Sequence, residues 1–184
     1  MSYKNENMKM IELHENGLDI QFRIRENGVV ELADFSSQEV KKAVMEPKED
    51  ICYPAVEIHR SGTGSLNMHA YKNNINQSSV DFVYENHELK AQDGGKELEI
   101  VMISSEKLKA VYHMRLFDGV PAVQTWTEII NEGSADQGLT YVSSFMYQGI
   151  SRGGEKLIIK KQISMCRLTA GAVRHSGRNT MQKR

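Results

Sequence analysis

Apolar and polar residues alternate along most of the first 150 residues. Between Asp19 and Arg25 every second residue is apolar: Ile20, Phe22 and Ile24. Because successive side chains of a strand point to opposite faces, this period of two predicts a strand with one face in a core. Asn27-Gly28 follows, a dipeptide that favours a type I′ turn, and the alternation resumes in Val29–Phe35. The pattern predicts a β-hairpin.

The same alternation recurs in seven further segments, separated by stretches rich in Gly, Asn, Asp and Ser. We predict strands over Ile51–Arg60, Ser65–Lys72, Val80–Leu89, Glu97–Ser104, Leu108–Phe117, Val123–Asn131 and Leu139–Gly149. Roughly nine or ten strands at this spacing are typical of an all-β, antiparallel β-sandwich. Strands and helices do not alternate along the chain, which argues against a parallel α/β fold.

One polar segment interrupts the strands. Residues 36–49 read SSQEVKKAVMEPKE, and Val40 and Val44 would share one face of a helix that Pro47 would end. We therefore expect at most one short helix, within residues 36–46.

The whole-chain composition is that of a soluble globular protein in a reducing compartment. The chain has 184 residues, two cysteines far apart in sequence, and no apolar run long enough to span a membrane. The N-terminus lacks the apolar region of a secretory signal. We expect a cytoplasmic location and no membrane partner.

Charge is distributed unevenly along the chain. No acid follows Glu155, but eight basic residues do: Lys156, Lys160, Lys161, Arg167, Arg174, Arg178, Lys183 and Arg184. An acidic body with a basic tail is one pattern of nucleic-acid-binding proteins, and this interpretation is kept as an alternative.

Side chains that could carry chemistry are scattered. None of the six histidines has a spacing typical of a metal site, so we expect neither metal nor cofactor, although spatial assembly is left open. Carboxylate pairs such as Glu97/Glu99 are more typical of a solvated strand face than of catalysis. The single tryptophan, Trp126, has polar neighbours, as in sugar-binding platforms, but a core or interface position is the commoner explanation.

Several segments resemble one known family. Pro54–Ile58, Val80–Tyr84 and His87–Leu89 resemble central strands of the N-terminal domain of family-36 glycoside hydrolases, the bacterial α-galactosidases and their relatives. The block from Glu97 to Gly133 resembles the next part of that domain, through Tyr112, Phe117, Gly119, Ile130, Asn131 and Gly133. The resemblance covers about residues 50 to 150.

The resemblance implies a large N-terminal sandwich that precedes a (β/α)₈ barrel with two catalytic aspartates. No barrel sequence is present here, so we expect no catalytic residue in this chain and no activity from it alone. The implied partners are α-galactosides, met through the full-length enzyme, and further copies in a homo-oligomer, with no nucleic acid. Residues expected at a substrate rim are His59, Arg60, Ser61 and Trp126. The alternative is a free-standing carbohydrate-binding or structural sandwich with a nucleic-acid-binding tail.

The tail contains a second signal. Residues 165–183 read MCRLTAGAVRHSGRNTMQK, and codons can be chosen whose third-base frame encodes VPSNSWCGEAQWKKYNAEK. That string resembles a family segment, N-S-W-C-G-E-x-Q-W, which follows the sandwich. Lys160-Lys161 can be encoded by a run of six adenines, at which a reading frame can slip. We expect a sandwich over residues 1–160 and an out-of-frame, disordered tail over 161–184.

Overall fold

A computed structural model describes residues 9–37, 53–64, 68–69, 72–73 and 76–147. It contains one short 3₁₀ helix, Gln77–Asp81, and eleven strands: β1 (Lys9–Glu15), β2 (Leu18–Ile24), β3 (Val30–Ser37), β4 (Ile58–Arg60), β5 (Met68–His69), β6 (Lys72–Asn73), β7 (Val83–Gln92), β8 (Gly95–Ile103), β9 (Leu108–Phe117), β10 (Val120–Asn131) and β11 (Leu139–Val142). The described ranges include no α-helix and no helix of membrane-spanning length. The helix predicted within 36–46 and the tail predicted over 161–184 lie outside the described residues.

The strands form antiparallel sheets that pack face to face. One sheet has the order β1-β2-β3 and another the order β10-β9-β8-β7, and two-stranded sheets pair β11 with β4 and β5 with β6. Phe22 of β2 meets Tyr112 of β9 edge to face, with ring centroids 5.7 Å apart, so these two sheets share a core. The predicted all-β, antiparallel sandwich is confirmed.

The core follows the predicted alternation. On β9 the inward residues are Leu108, Ala110, Tyr112, Met114 and Leu116, all buried. They meet the inward residues of β8, which are Leu98, Ile100 and Met102. Complete burial raises the pKa of the Tyr112 hydroxyl far above its ordinary value, because no water remains to solvate a phenolate. The core is therefore built from residues of strict period two.

Several predicted strands have other bounds in the structure. Of the described residues 53–60, Ile58–Arg60 alone is extended, and the predicted strand 80–89 is displaced to Val83–Gln92 by the 3₁₀ helix over Gln77–Asp81. Within the predicted strand 65–72 lie parts of two short strands, β5 and β6, which pair with each other, and the predicted strand 139–149 ends at Val142. Asn76 caps that helix by accepting a hydrogen bond from the Ser78 backbone N–H. The hydroxyls of Ser78 and Ser79 both donate to the Ile58 carbonyl. The two hydroxyls thus provide hydrogen-bond donors for the Ile58 carbonyl of β4, a role that a neighbouring strand would otherwise have.

The dipeptide Asn-Gly occurs at two hairpin turns and adopts two structures. Asn16 and Gly17 both have positive φ, 52° and 80°, and form the two-residue loop between β1 and β2, as expected of type I′. At Asn27-Gly28 only Gly28 has positive φ, and its N–H donates to the Arg25 carbonyl. The predicted hairpin is confirmed, but its turn is a type I turn with a glycine bulge and not type I′.

Lys107 provides a first prediction. It ends the turn between β8 and β9 with φ of 62°, a conformation that costs an L-residue about 1 kcal/mol. We expect Lys107→Gly to raise the free energy of unfolding by about 0.5 kcal/mol, because glycine's extra chain entropy offsets part of the gain. Denaturant unfolding measures this change. Lys107→Ala, which removes the charge but keeps the strain, should not stabilise, and equal stabilisation by both variants would contradict the explanation.

Candidate functional site

β4 and β11 place one aromatic pair at the surface. Their register sets Tyr141 opposite His59, and the two rings lie 5.0 Å apart at 49°. The other contact of His59 is with Glu57, whose Oε1 lies 2.8 Å from Nε2. Tyr141 is exposed and His59 is half-buried, so this pair is accessible to a ligand at the surface. Tyr141 was not among the predicted rim residues.

Arg60 and Ser61 have different surroundings. The Arg60 side chain is buried and lies between two carboxylates, 3.3 Å from Asp81 Oδ2 and 2.9 Å from Glu106 Oε2. Ser61 is exposed, and its backbone N–H donates to the Gly138 carbonyl. Arg60 thus joins β4 through ion pairs to the 3₁₀ helix and to the turn between β8 and β9. A rim role for His59, Arg60 and Ser61 stays a prediction.

Trp126 lies elsewhere, on the outer face of the four-stranded sheet. The next residue, Thr127, points the opposite way and donates from Oγ1 to the Ser143 carbonyl, at 2.9 Å. Ser143 in turn bonds the backbone of Glu57, beside β4. Trp126 therefore points away from the side of β10 that meets β4 and β11. His59, Arg60 and Ser61 are adjacent in space, and Trp126 belongs to a separate cluster.

That cluster is assembled by the register of three neighbouring strands. On β8 and β9 the residues between the core positions point outward, and they include Glu97, Glu99 and His113. Glu99 pairs with His113, and His113 pairs with Trp126, which forms a row across the sheet. Glu97 lies two residues from Glu99 on the same face. The sheet thus brings one imidazole, two carboxylates and one indole together.

His113 is at the centre of this cluster. Its side chain is 9% exposed, and Nδ1 lies 2.9 Å from Glu97 Oε1 and 3.9 Å from Glu99 Oε1. The Trp126 ring stacks on it, with centroids 4.6 Å apart and an interplanar angle of 4°. The other ring nitrogen, Nε2, has no hydrogen-bond partner among the described residues and lies 4.0 Å from Glu128 Oε2. The imidazole is held in one orientation by its neighbours.

Lys90 of β7 completes the charge pattern. Its Nζ lies 2.5 Å from Glu99 Oε2 and 3.6 Å from Glu88 Oε2. The hydrogen bond to Glu99 raises the pKa of the lysine, which keeps the ammonium charged. Lys90 therefore binds one oxygen of Glu99, while the other oxygen, Oε1, is turned toward His113.

A second polar cluster lies on β1 and β7. The Lys9 ammonium donates to the Tyr84 hydroxyl at 2.9 Å, and that hydroxyl lies 2.7 Å from His87 Nδ1. Desolvation and the nearby charge of Lys9 lower the pKa of His87, so the imidazole is neutral near pH 7 and accepts from Tyr84. These three side chains satisfy one another.

The central cluster has the composition of a metal site. The ligand atoms of Glu97, Glu99 and His113 all lie within 4.8 Å of one another. Imidazole and carboxylate are the ligand types that first-row transition metals prefer in proteins. The sequence predicted no metal site. The sequence analysis considered the Glu97/Glu99 pair and the histidines separately. The pairing of β8 with β9 is what brings Glu97 and Glu99 next to His113.

No family model and no curated protein matches this chain. Solved structures similar to it include two of the family-36 α-galactosidase AgaA from Geobacillus stearothermophilus. For a doubly substituted form in complex with raffinose, the TM-score is 0.45 at 11% identity, covering 68% of this chain and 22% of that one. For a second structure of AgaA the TM-score is 0.43 at 12% identity, with the same coverage. This chain therefore matches about a fifth of the length of those enzymes, and no residue role is transferred from them.

Proposed function

We propose that this chain is a non-catalytic N-terminal sandwich of an α-galactosidase-type glycoside hydrolase, which acts in the cytoplasm. In the intact enzyme the sandwich packs on a catalytic barrel and contributes to a homo-oligomer. It meets α-galactosides only through that enzyme, with His59, Arg60, Ser61 and Trp126 as candidate rim residues. The chain alone is inactive.

One observation carries this proposal: four of the six residues on which the resemblance of the block from Glu97 to Gly133 depends have structural roles in the fold. Tyr112 is in the centre of the core, and Gly119 forms the turn after β9 with φ of 70°. Asn131 bonds the Ala135 carbonyl and the Gly133 N–H, which shapes the loop after β10. A side chain at Gly133 would lie 2.7 Å from the Glu106 carbonyl oxygen. The resemblance therefore concerns a shared sandwich, not a shared catalytic site.

Three buried or partly buried carboxylates among the described residues support a non-catalytic role. A glycosidase needs two carboxyl groups that face a sugar across an open cleft. Here the buried Glu31 contacts Arg25, and the buried Glu97 contacts His113. Asp81 is bound to Arg60. Each of these acids is thus engaged in an ion pair or hydrogen bond within the domain.

The gene provides the decisive test. We expect its nucleotide sequence to contain a run of adenines at Lys160-Lys161, and the frame that starts at the third base of each later codon to encode N-S-W-C-G-E followed by a barrel. Adding one adenine to the run should therefore restore a full-length enzyme. Purified restored protein should release aryl alcohol from an aryl α-galactoside, and the 184-residue chain should release none above buffer. The control is a restored protein with one barrel aspartate changed to asparagine, which should be inactive.

Two outcomes would contradict the proposal. One is turnover by the 184-residue chain that is lost when one of its own acids is changed. The other is a gene in which the alternative frame closes at once and encodes no barrel. The second outcome would favour the free-standing alternative, for which the half-exposed Trp126 between Gln124 and Glu128 is the specific observation. Saccharide-induced changes in Trp126 emission would then support a carbohydrate-binding module.

A further inference from the structure

We propose that Glu97, Glu99 and His113 form a binding site for a divalent first-row transition metal ion on the outer face of the four-stranded sheet. Zn²⁺ is the probe for which the ligand set is best suited. This inference rests on the described side chains alone and does not depend on the proposed function.

The ligand atoms are already near the positions that a metal would require. Zn²⁺ binds imidazole nitrogen and carboxylate oxygen at about 2.0–2.2 Å, so neighbouring ligand atoms around a tetrahedral ion are about 3.4 Å apart. His113 Nδ1 lies 2.9 Å from Glu97 Oε1 and 3.9 Å from Glu99 Oε1, one distance below that value and one above it. Glu97 Oε1 now accepts the hydrogen bond of Nδ1, so the ion would replace that proton and the Glu97 carboxylate would turn aside to admit it. Three protein ligands leave a further position for water or another oxygen ligand.

Neighbouring side chains orient two of the three ligands, Glu99 and His113. Lys90 binds Glu99 Oε2, which leaves Oε1 of the same carboxylate for the metal. Trp126 stacks on the His113 ring and fixes its plane. Both ligands are therefore held before an ion arrives, which reduces the entropy lost on binding.

Metal binding would also satisfy the unpartnered nitrogen of His113. Without an ion, Nε2 is buried and has no hydrogen-bond partner among the described residues. With the ion on Nδ1, the proton is on Nε2, which faces the Glu128 carboxylate at 4.0 Å. Metal-bound histidines commonly donate their second N–H to a carboxylate. Glu128 occupies that outer position.

The chain contains its own reporter of occupancy. Trp126 is the only tryptophan, and it touches the ring that would bind the ion. A metal at His113 must therefore change Trp126 emission, whereas a metal at another histidine or at a cysteine need not.

The test is a Zn²⁺ titration of the purified 184-residue chain without a histidine tag. Calorimetry measures the stoichiometry and affinity, and Trp126 fluorescence measures the change in emission. We expect one Zn²⁺ per chain that changes the emission and raises the melting temperature. His113→Gln and Glu97→Gln should each weaken this binding at least tenfold. Glu128→Ala should weaken it by about tenfold, the lower end of the usual loss for an outer partner. Glu88→Gln, on the same face, and His87→Gln, in the other cluster, are the matched controls and should bind as the parent chain does.

Either of two results would overturn the proposal. The first is the absence of a saturable, Zn²⁺-dependent change in Trp126 emission in the parent chain. The second is parental affinity in Glu97→Gln or His113→Gln. Circular dichroism establishes that each variant is folded. Glu128, whose side chain is 57% exposed, provides a variant that keeps the buried contacts even where the other two fail to fold.

Discussion

Alanine at Gly95 should lower the free energy of unfolding by more than about 3 kcal/mol, whereas alanine at the adjacent Gly94 should lower it by about 1 kcal/mol. Gly95 begins β8, where a Cβ atom would lie 1.9 Å from the Leu116 carbonyl oxygen and 3.2 Å from the Phe117 Cα. Both obstacles are backbone atoms of β9, so relief requires the two central strands to move apart. Gly94 has φ of 72° but open space around it, so alanine there adds backbone strain alone.

Denaturant unfolding of the two variants, with the parent chain alongside, measures this difference. The matched pair separates steric overlap from the loss of glycine's conformational freedom, because the two residues are adjacent and only Gly95 has backbone atoms of β9 within contact distance of an added Cβ. Equal destabilisation by the two substitutions would show that the approach of β8 to β9 is not the controlling contact. A Gly95→Ala variant that does not fold agrees with the prediction, provided that Gly94→Ala folds.

Alternation predicted the sandwich because every second residue of the two central strands, from Leu98 and from Leu108 onward, is apolar and points into the core. On β9, Leu108 to Phe117 was predicted to the residue, since five inward apolar side chains alternate with outward ones. β1 was missed as a separate strand, although Asn16-Gly17 is the same turn signal as Asn27-Gly28. Periodicity reports which face is buried, but it does not report which strands pair.

The Glu97–Glu99–His113–Trp126 cluster could not be predicted for a related reason: periodicity does not give the register of paired strands. The β8–β9 turn sets Glu99 opposite His113, and this depends on a loop of four residues between the strands. The register between β9 and β10 shifts after Val120. Two residues of β10, Pro121 and Ala122, therefore have no partner on β9. Without that bulge, Trp126 would pair with Val111 and not with His113. Proline, which has no N–H to donate, marks a bulge site but does not give its size.

The predicted rim residues illustrate a different limit. His59, Arg60 and Ser61 were grouped because they are consecutive, and the structure keeps them together. Arg60 forms ion pairs with Asp81, at the end of the 3₁₀ helix, and with Glu106, in the turn between β8 and β9, and no local pattern contains these partners. Such ion pairs depend on the tertiary arrangement of the chain.

Glu31→Gln should lower the free energy of unfolding by about 3 kcal/mol, because it removes a buried charge that contacts two poorly solvated arginines. The Glu31 side chain is 8% exposed, and its oxygens lie 3.1 Å from Arg25 Nη1 and 3.6 Å from Arg23 Nη1. One of them also accepts from the Tyr53 backbone N–H at 2.9 Å. Glutamine keeps the size and one acceptor oxygen but not the charge. Urea unfolding at neutral pH measures the loss.

Glu88→Gln is the matched control for this substitution. Glu88 also lies 3.6 Å from a cation, Lys90, but its side chain is 67% exposed, and an exposed pair contributes only about 0–1 kcal/mol. Added salt distinguishes the two sites, because mobile ions screen the Glu88 pair and do not reach Glu31. We therefore expect the effect of Glu31→Gln to persist in concentrated sodium chloride while any effect of Glu88→Gln disappears. A salt-sensitive loss at Glu31, or losses of equal size at the two sites, would mean that burial does not set the strength of the Glu31 contacts.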